Sequence, residues 1–126
     1  MNAVSPDENV VRAICDDKWD GERLSPSLFK GEHVSVGRLT IASLADHWEI
    51  FRRFVEDPPE RNLKLVGEIN VGVLQKLGRE YNPVPVALTV IPTPLVGFPS
   101  HAEIPQYITR GLANRILRVL EIHEHE

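Results

Sequence analysis

Two stretches carry the residue types that chemistry needs, and they lie far apart in the chain. Trp19 to Leu39 holds Asp20, Arg23, Ser25, Ser27, Lys30, His33, Ser35 and Arg38. Serine hydroxyls at a helix start, beside cationic side chains, make an anion pocket, because free N–H groups and the helix dipole both favour negative charge there. Ser25, Ser27, Lys30 and Arg38 are therefore the candidate ligands of a phosphate-bearing small molecule. The plain alternative makes Ser25 a helix cap, places Leu28 and Phe29 in the core, and leaves the charges solvated. The second stretch, Pro99 to Ile104, contains His101 and Glu103. Alternate residues on an extended segment point the same way, so both can face one cleft. An imidazole beside a carboxylate suits general-base work or the orienting of a substrate hydroxyl, which makes His101 and Glu103 the candidate catalytic pair. A structural role competes here too, since Glu103 shortly before Pro105 complements the N-terminus of a following helix.

The other familiar chemistries find no support. Neither GxxxxGK[ST] nor GxGxxG occurs, and Gly21, Gly31 and Gly37 are too widely spaced to cradle a phosphate. GxSxG is missing, so Ser100 next to His101 is no nucleophile elbow. HExxH is absent, and the single cysteine, Cys15, rules out the usual structural zinc sets. His123 and His125 alternate with glutamates in the tail but lack a rigid supporting shell, so no metal is assigned. No cofactor is implied. A formal charge of −4 gives no general attraction to nucleic acid or anionic membrane. Cys15 sits in the apolar run Val10 to Cys15 and reads as a small buried hydrophobe. Met1 to Asn9 has no positive and apolar leader pattern, and no stretch approaches the ~20 apolar residues that span a bilayer. A cytoplasmic protein without membrane contact is expected.

The elements that must position these residues can be read in order. Residues 1–8 read as a disordered lead-in, and Val10 to Cys15 as a strand. Asp20-Gly21 marks a turn. Ser25-Pro26 opens a short helix or 3₁₀ turn that Gly31 ends, and His33 to Ile41 gives two short strands or one broken at Gly37. Ser43 to Val55 is an amphipathic helix, with Leu44, Trp48, Phe51 and Val55 on one face, stopped by Asp57-Pro58-Pro59. Leu63 to Ile69 reads as a strand, and Asn70 caps a short helix from Val71 to Leu77 that Gly78 closes. Val84 to Ile91 reads as a strand whose Pro85 favours an edge position or a delayed start. Gln106 to Ile122 is the second main helix, and 123–126 a frayed tail. The pattern predicts a compact single α+β domain over 9–122. Its short mixed or antiparallel sheet would be covered on one face by two main amphipathic helices.

At WDGERLSPSLFKGEHVSVGRL and again at PSHAEI, the chain resembles a loosely defined group of small bacterial proteins of unassigned function. They share a DG turn, an S-x-x-x-F run with a following S-V, and a HAEI-like run before a final helix. Those elements stand here as Asp20-Gly21, Ser25 to Phe29, Ser35-Val36 and His101 to Ile104. The resemblance implies that the two stretches share one site; it names no substrate.

Three functional readings follow. The first is an interaction or accessory domain with a protein partner, such as a larger bacterial effector, since no strong catalytic signature is present. The second is a small enzyme acting on a nucleotide-like substrate by ADP-ribosyl transfer, with Arg38, Ser25 and Ser27 on the phosphate and His101 and Glu103 at the ribose. The third, least supported, is RNA binding through the arginines of the last helix, Arg110, Arg115 and Arg118. Oligomeric state is left open.

Overall fold

The computed structural model describes residues 3–125. Strand β1 (Asn9–Cys15) is central, and a one-turn 3₁₀ helix (Pro26–Leu28) leads into β2 (Val34–Arg38). Helix α1 (Leu44–Phe54) precedes β3 (Leu63–Asn70), which runs directly into α2 (Val71–Arg79). A two-residue edge strand β4 (Ile91–Pro92), β5 (His101–Ile104), α3 (Arg110–Val119) and β6 (Glu121–Glu124) complete the chain. The strands form one six-stranded sheet in the order β4-β5-β2-β1-β3-β6, with every pairing antiparallel. This is the α+β domain expected from the alternation of short strands and helices.

Period-two alternation in β1 divides the core. Val10 and Ile14 join Leu65, Ile69, the α2 residues Val71 and Leu74, and the α3 residues Leu112, Ala113 and Ile116. Val11 faces the other way and packs with Val66, Phe98 and the α1 residues Trp48, Ile50 and Phe51. The two main helices therefore lie on opposite faces of the sheet, not on one as expected. The sequence shows that each has an apolar stripe, but not which side of a strand the stripe meets. Fully buried side chains such as Ile14, Leu74 and Ile116 each contribute about 2 kcal/mol of transfer free energy.

Capping follows the sequence at Ser43 and Asn70, whose side chains accept from the N–H groups of Asp46 and Val73; the cap of α3, Thr109 accepting from Leu112, was not expected. Three boundaries differ from expectation. The last helix begins at Arg110 rather than Gln106, because Ile108 exchanges backbone hydrogen bonds with Gly31 and Gln106 holds Thr89 by two side-chain bonds. It ends at Val119 because Leu120 turns extended and Glu121–Glu124 adds a strand alongside β3. Gly78 lies within α2 instead of closing it; its missing Cβ lets the Val86 carbonyl approach.

The chain ends are also more engaged than expected. Val4 is buried and donates to the Val90 carbonyl, and Glu8 binds Arg38 and Thr40, so residues 3–8 are part of the domain. Residues 123 and 124 belong to β6, and His125 packs its ring on Trp48. Of the lead-in and tail, residues 1–2 and 126 lie outside the described residues. The run from Val84 yields only the strand Ile91–Pro92, an edge position that tolerates a proline without N–H. His33 to Ile41 yields one strand, in which Gly37 pairs with both Val11 and His101. No helix among the described residues is long and apolar enough to cross a membrane.

Candidate active site where two central strands part

The centre of the sheet is forked. Strands β1 and β2 pair only at Val10↔Arg38 and Val11↔Gly37. Beyond that point β1 stays with β3 as far as Cys15, while β2 runs with β5 back to Val34. Arg12 spans the opening. Its Nε donates to the Leu28 carbonyl at 2.5 Å and its Nη1 to the Ser35 carbonyl at 2.7 Å. The guanidinium carbon lies 5.7 Å from the centroid of the Phe29 ring. Among the described residues Arg12 forms no ion pair with a carboxylate. Burial pulls its pKa down to about 10, so at neutral pH it still carries its charge.

This fork opens into a cleft lined by Phe51 and Phe98 from the α1 side and by Arg12 and Ser35 from the two parting strands. Lys18 and Arg61 add positive charge, against one carboxylate, Asp17. Cys15 also reaches the cleft, but burial pushes its thiol pKa up to about 11, so it is no thiolate nucleophile at neutral pH. A cationic cleft with apolar walls suits a ligand that has a planar or apolar part and an anionic group.

Across β2 and β5 the candidate chemical groups gather. Ser35 stands opposite Glu103, and Gly37 opposite His101. Val34, Val36, Ala102 and Ile104 belong to the α2/α3 core, so Ser35, His101 and Glu103 all point to the α1 face. His101 Nε2 lies 3.2 Å from Ser35 Oγ, while Nδ1 lies 2.9 Å from the Thr93 carbonyl and 2.8 Å from Thr93 Oγ1. Phe98 meets the His101 ring edge-on at 5.0 Å. Glu103 is 3.5 Å from His33 Nδ1, with side chains 29% and 63% exposed, so the carboxylate stays accessible.

A second serine–histidine pair lies beneath α1. His47 Nδ1 is 2.8 Å from the Ser43 carbonyl and Nε2 is 2.7 Å from Ser100 Oγ. Both residues are fully buried, and the ring packs between Phe51 and Phe98. Burial lowers the His47 pKa, a shift the Ser43 bond partly opposes. Because a carbonyl only accepts, Nδ1 carries the proton of the neutral ring and Nε2 accepts from Ser100. This closed pair braces α1 against the sheet.

The sequence candidates therefore separate. His101 and Glu103 sit together on β5, and the opening stretch meets them through Ser35. Ser25 caps the 3₁₀ turn, its hydroxyl 2.7 Å from that of Ser27, and both serines, with Lys30, border a shallow groove beside Arg110. That turn packs with α3 on the α2/α3 face, so Ser25, Ser27 and Lys30 do not share a pocket with His101 and Glu103. Arg38 is not available to a ligand either. Its Nε and Nη2 hold both oxygens of Glu8 at 3.0 and 2.8 Å, and that pairing keeps the Glu8 carboxyl below its ordinary pKa. The cation at the cleft is Arg12, which sequence reasoning missed. Its signal was a single arginine interrupting the apolar run of β1 on the core-facing side. Away from the cleft, Glu68, Glu121 and His123 bring their ligand atoms within 4.8 Å of one another, although no metal was expected. There His123 Nε2 and Glu68 Oε1 satisfy each other at 2.7 Å, and Asn9 Nδ2 bonds the other Glu68 oxygen. Of the last-helix arginines, Arg115 lies over the Tyr81 ring.

No family model, curated protein or solved structure matches the chain.

Proposed function

We propose that the protein is a small cytoplasmic enzyme acting on a nucleotide-like substrate by ADP-ribosyl transfer, seated where β1 and β2 part. The observation that carries this reading is the arrangement around Ser35: Arg12, which has no carboxylate partner among the described residues, bonds its carbonyl from the β1 side, and the accessible carboxylate of Glu103 stands opposite it on β5. A guanidinium in partial enclosure is suited to a diphosphate, because its planar fork of N–H donors matches pairs of oxygens on the tetrahedral phosphates. Glu103 would hydrogen-bond a ribose hydroxyl and stabilise the positive charge that develops at the sugar carbon. In that step the C–N bond to the leaving base breaks and the base departs with the bonding pair. An oxygen or nitrogen nucleophile then bonds the same carbon, and its proton passes to Glu103. The aromatic walls Phe51 and Phe98 would receive the leaving base. The single free cysteine accords with a reducing compartment.

The test is release of the base from a nicotinamide dinucleotide, followed by chromatography. Wild type should release it, and Glu103→Gln should slow release by at least a hundredfold with the fold intact by circular dichroism. Equal rates for the two proteins would end the reading.

One observation favours an interaction role as a second reading. The tight turn closed by Leu95 and Phe98 presents Val96 fully exposed, with Leu95 at 47% and Phe54 at 45% beside it. A protein partner docked there would sit next to the cleft. Val96→Asp should abolish capture of that partner from lysate while leaving the melting temperature unchanged; capture unaffected by the charge would remove this reading.

A further inference from the structure

The two serine–histidine pairs share their wiring and differ in access. In each, one ring nitrogen faces a main-chain carbonyl and the other faces a serine hydroxyl. A carbonyl oxygen accepts and never donates, so the 2.9 Å contact of Thr93 with His101 Nδ1 puts the proton of the neutral ring on Nδ1. Nε2 then directs a lone pair at Ser35 Oγ, 3.2 Å away, within hydrogen-bond reach of a nucleophile and its base. The ring is held in place, since Thr93 Oγ1 also bonds Nδ1 and Phe98 packs against it edge-on at 5.0 Å. The His47–Ser100 pair is sealed at 0% exposure, whereas Ser35 is exposed and borders the cationic cleft.

We propose that Ser35 is a nucleophile with His101 as its general base, acting on small esters that carry an anionic group. Ser35 Oγ bonds the carbonyl carbon as its proton passes to His101 Nε2. The ester C–O bond breaks, and the alcohol leaves with the proton from Nε2. Water then repeats the sequence: its proton goes to Nε2, its oxygen bonds the acyl carbon, and Ser35 departs with the proton. Arg12, held at the Ser35 carbonyl, would bind the anionic group. This activity goes beyond ADP-ribosyl transfer and does not depend on it.

The probe is an alkyl fluorophosphonate, whose phosphorus would bond Ser35 Oγ as fluoride leaves. Intact-mass and peptide-mapping measurements should find one adduct, on Ser35, absent from Ser35→Ala. His101→Gln should slow labelling at least tenfold at an unchanged melting temperature. Should His101→Gln fold poorly, Thr93→Val offers a second measurement, since loss of one ring contact should slow labelling severalfold. No adduct on folded wild type, an adduct elsewhere, or labelling of a folded His101→Gln variant at the wild-type rate would overturn the proposal. Failure of nucleotide turnover with Ser35 labelled would count against the transfer reading alone.

Discussion

Gly37→Ala probes the packing that aligns the site. A Cβ at Gly37 would come closer than 3.0 Å to both Nε2 and Cδ2 of His47, a separation real Cβ atoms essentially never show. The ring has nowhere to go. Nδ1 is tied to Ser43, Nε2 to Ser100, and the faces are packed by Phe51 and Phe98. Overpacking a core costs about 1–3 kcal/mol. Displacing the ring also strands the buried Ser100 hydroxyl or the imidazole nitrogen, which adds about 1–3 kcal/mol. The expected loss is therefore about 2–6 kcal/mol, or roughly 8–24 °C in melting temperature for a domain of this size. Urea denaturation checks it through a fall in the midpoint at an unchanged slope. Adding His47→Ala should relieve the clash, so the double variant should be more stable than the sum of the single effects by about 1–3 kcal/mol. A Gly37→Ala protein within about 1 kcal/mol of wild type, or a strictly additive pair, would refute the fixed position of the ring.

Other outcomes follow from buried or paired groups. His47 has a folded pKa below its ordinary value of 6.5, so the unfolded state binds the proton more readily. Its contribution to stability is complete above that value and is lost as pH falls through the lower folded value; the difference between wild type and His47→Gln in acid denaturation midpoints should show this slope. Glu8 is likewise held low, chiefly by its hydrogen bonds from Arg38, so its contribution is present above pH 4.5 and is lost as pH falls through the folded value. Glu8→Gln should remove that acid dependence and free Arg38, read by thermal melts at two pH values. Cys15, buried and with its pKa raised to about 11, should resist a disulfide reagent at pH 8 in the native protein and react at once in urea.

Much of the fold was legible because it rests on local signals. The serine and asparagine caps, the Asp20-Gly21 turn with Asp20 accepting from Glu22 and Arg23, and the apolar face of α1 are all set within a few residues. What depended on distant pairing was not legible. Apolar residues at helical spacing extend the expected last helix to Ile122, yet β3 offers an unpaired edge that Glu121–Glu124 fills. The site divided the same way. The pairing of His101 and Glu103 came from strand alternation, but their neighbour Ser35 was set by the β2–β5 register. Nothing local to Arg38 shows that Glu8, thirty residues earlier, pairs with the Nε–Nη2 edge of its guanidinium. Arg12 was hidden because an arginine within an apolar strand carries no signal of the fork it spans.

Binding of ADP-ribose by calorimetry, with wild type, Arg12→Met and Ser25→Ala compared, tests the central claim most directly. The cleft between β1 and β2 should bind it, Arg12→Met should lose at least tenfold in affinity, and Ser25→Ala, on the opposite face of the sheet, should bind as wild type does. At a hundred times its Kd the ligand should also add about 2.7 kcal/mol to stability. No binding by the folded wild type, or equal affinity in Arg12→Met, would contradict it.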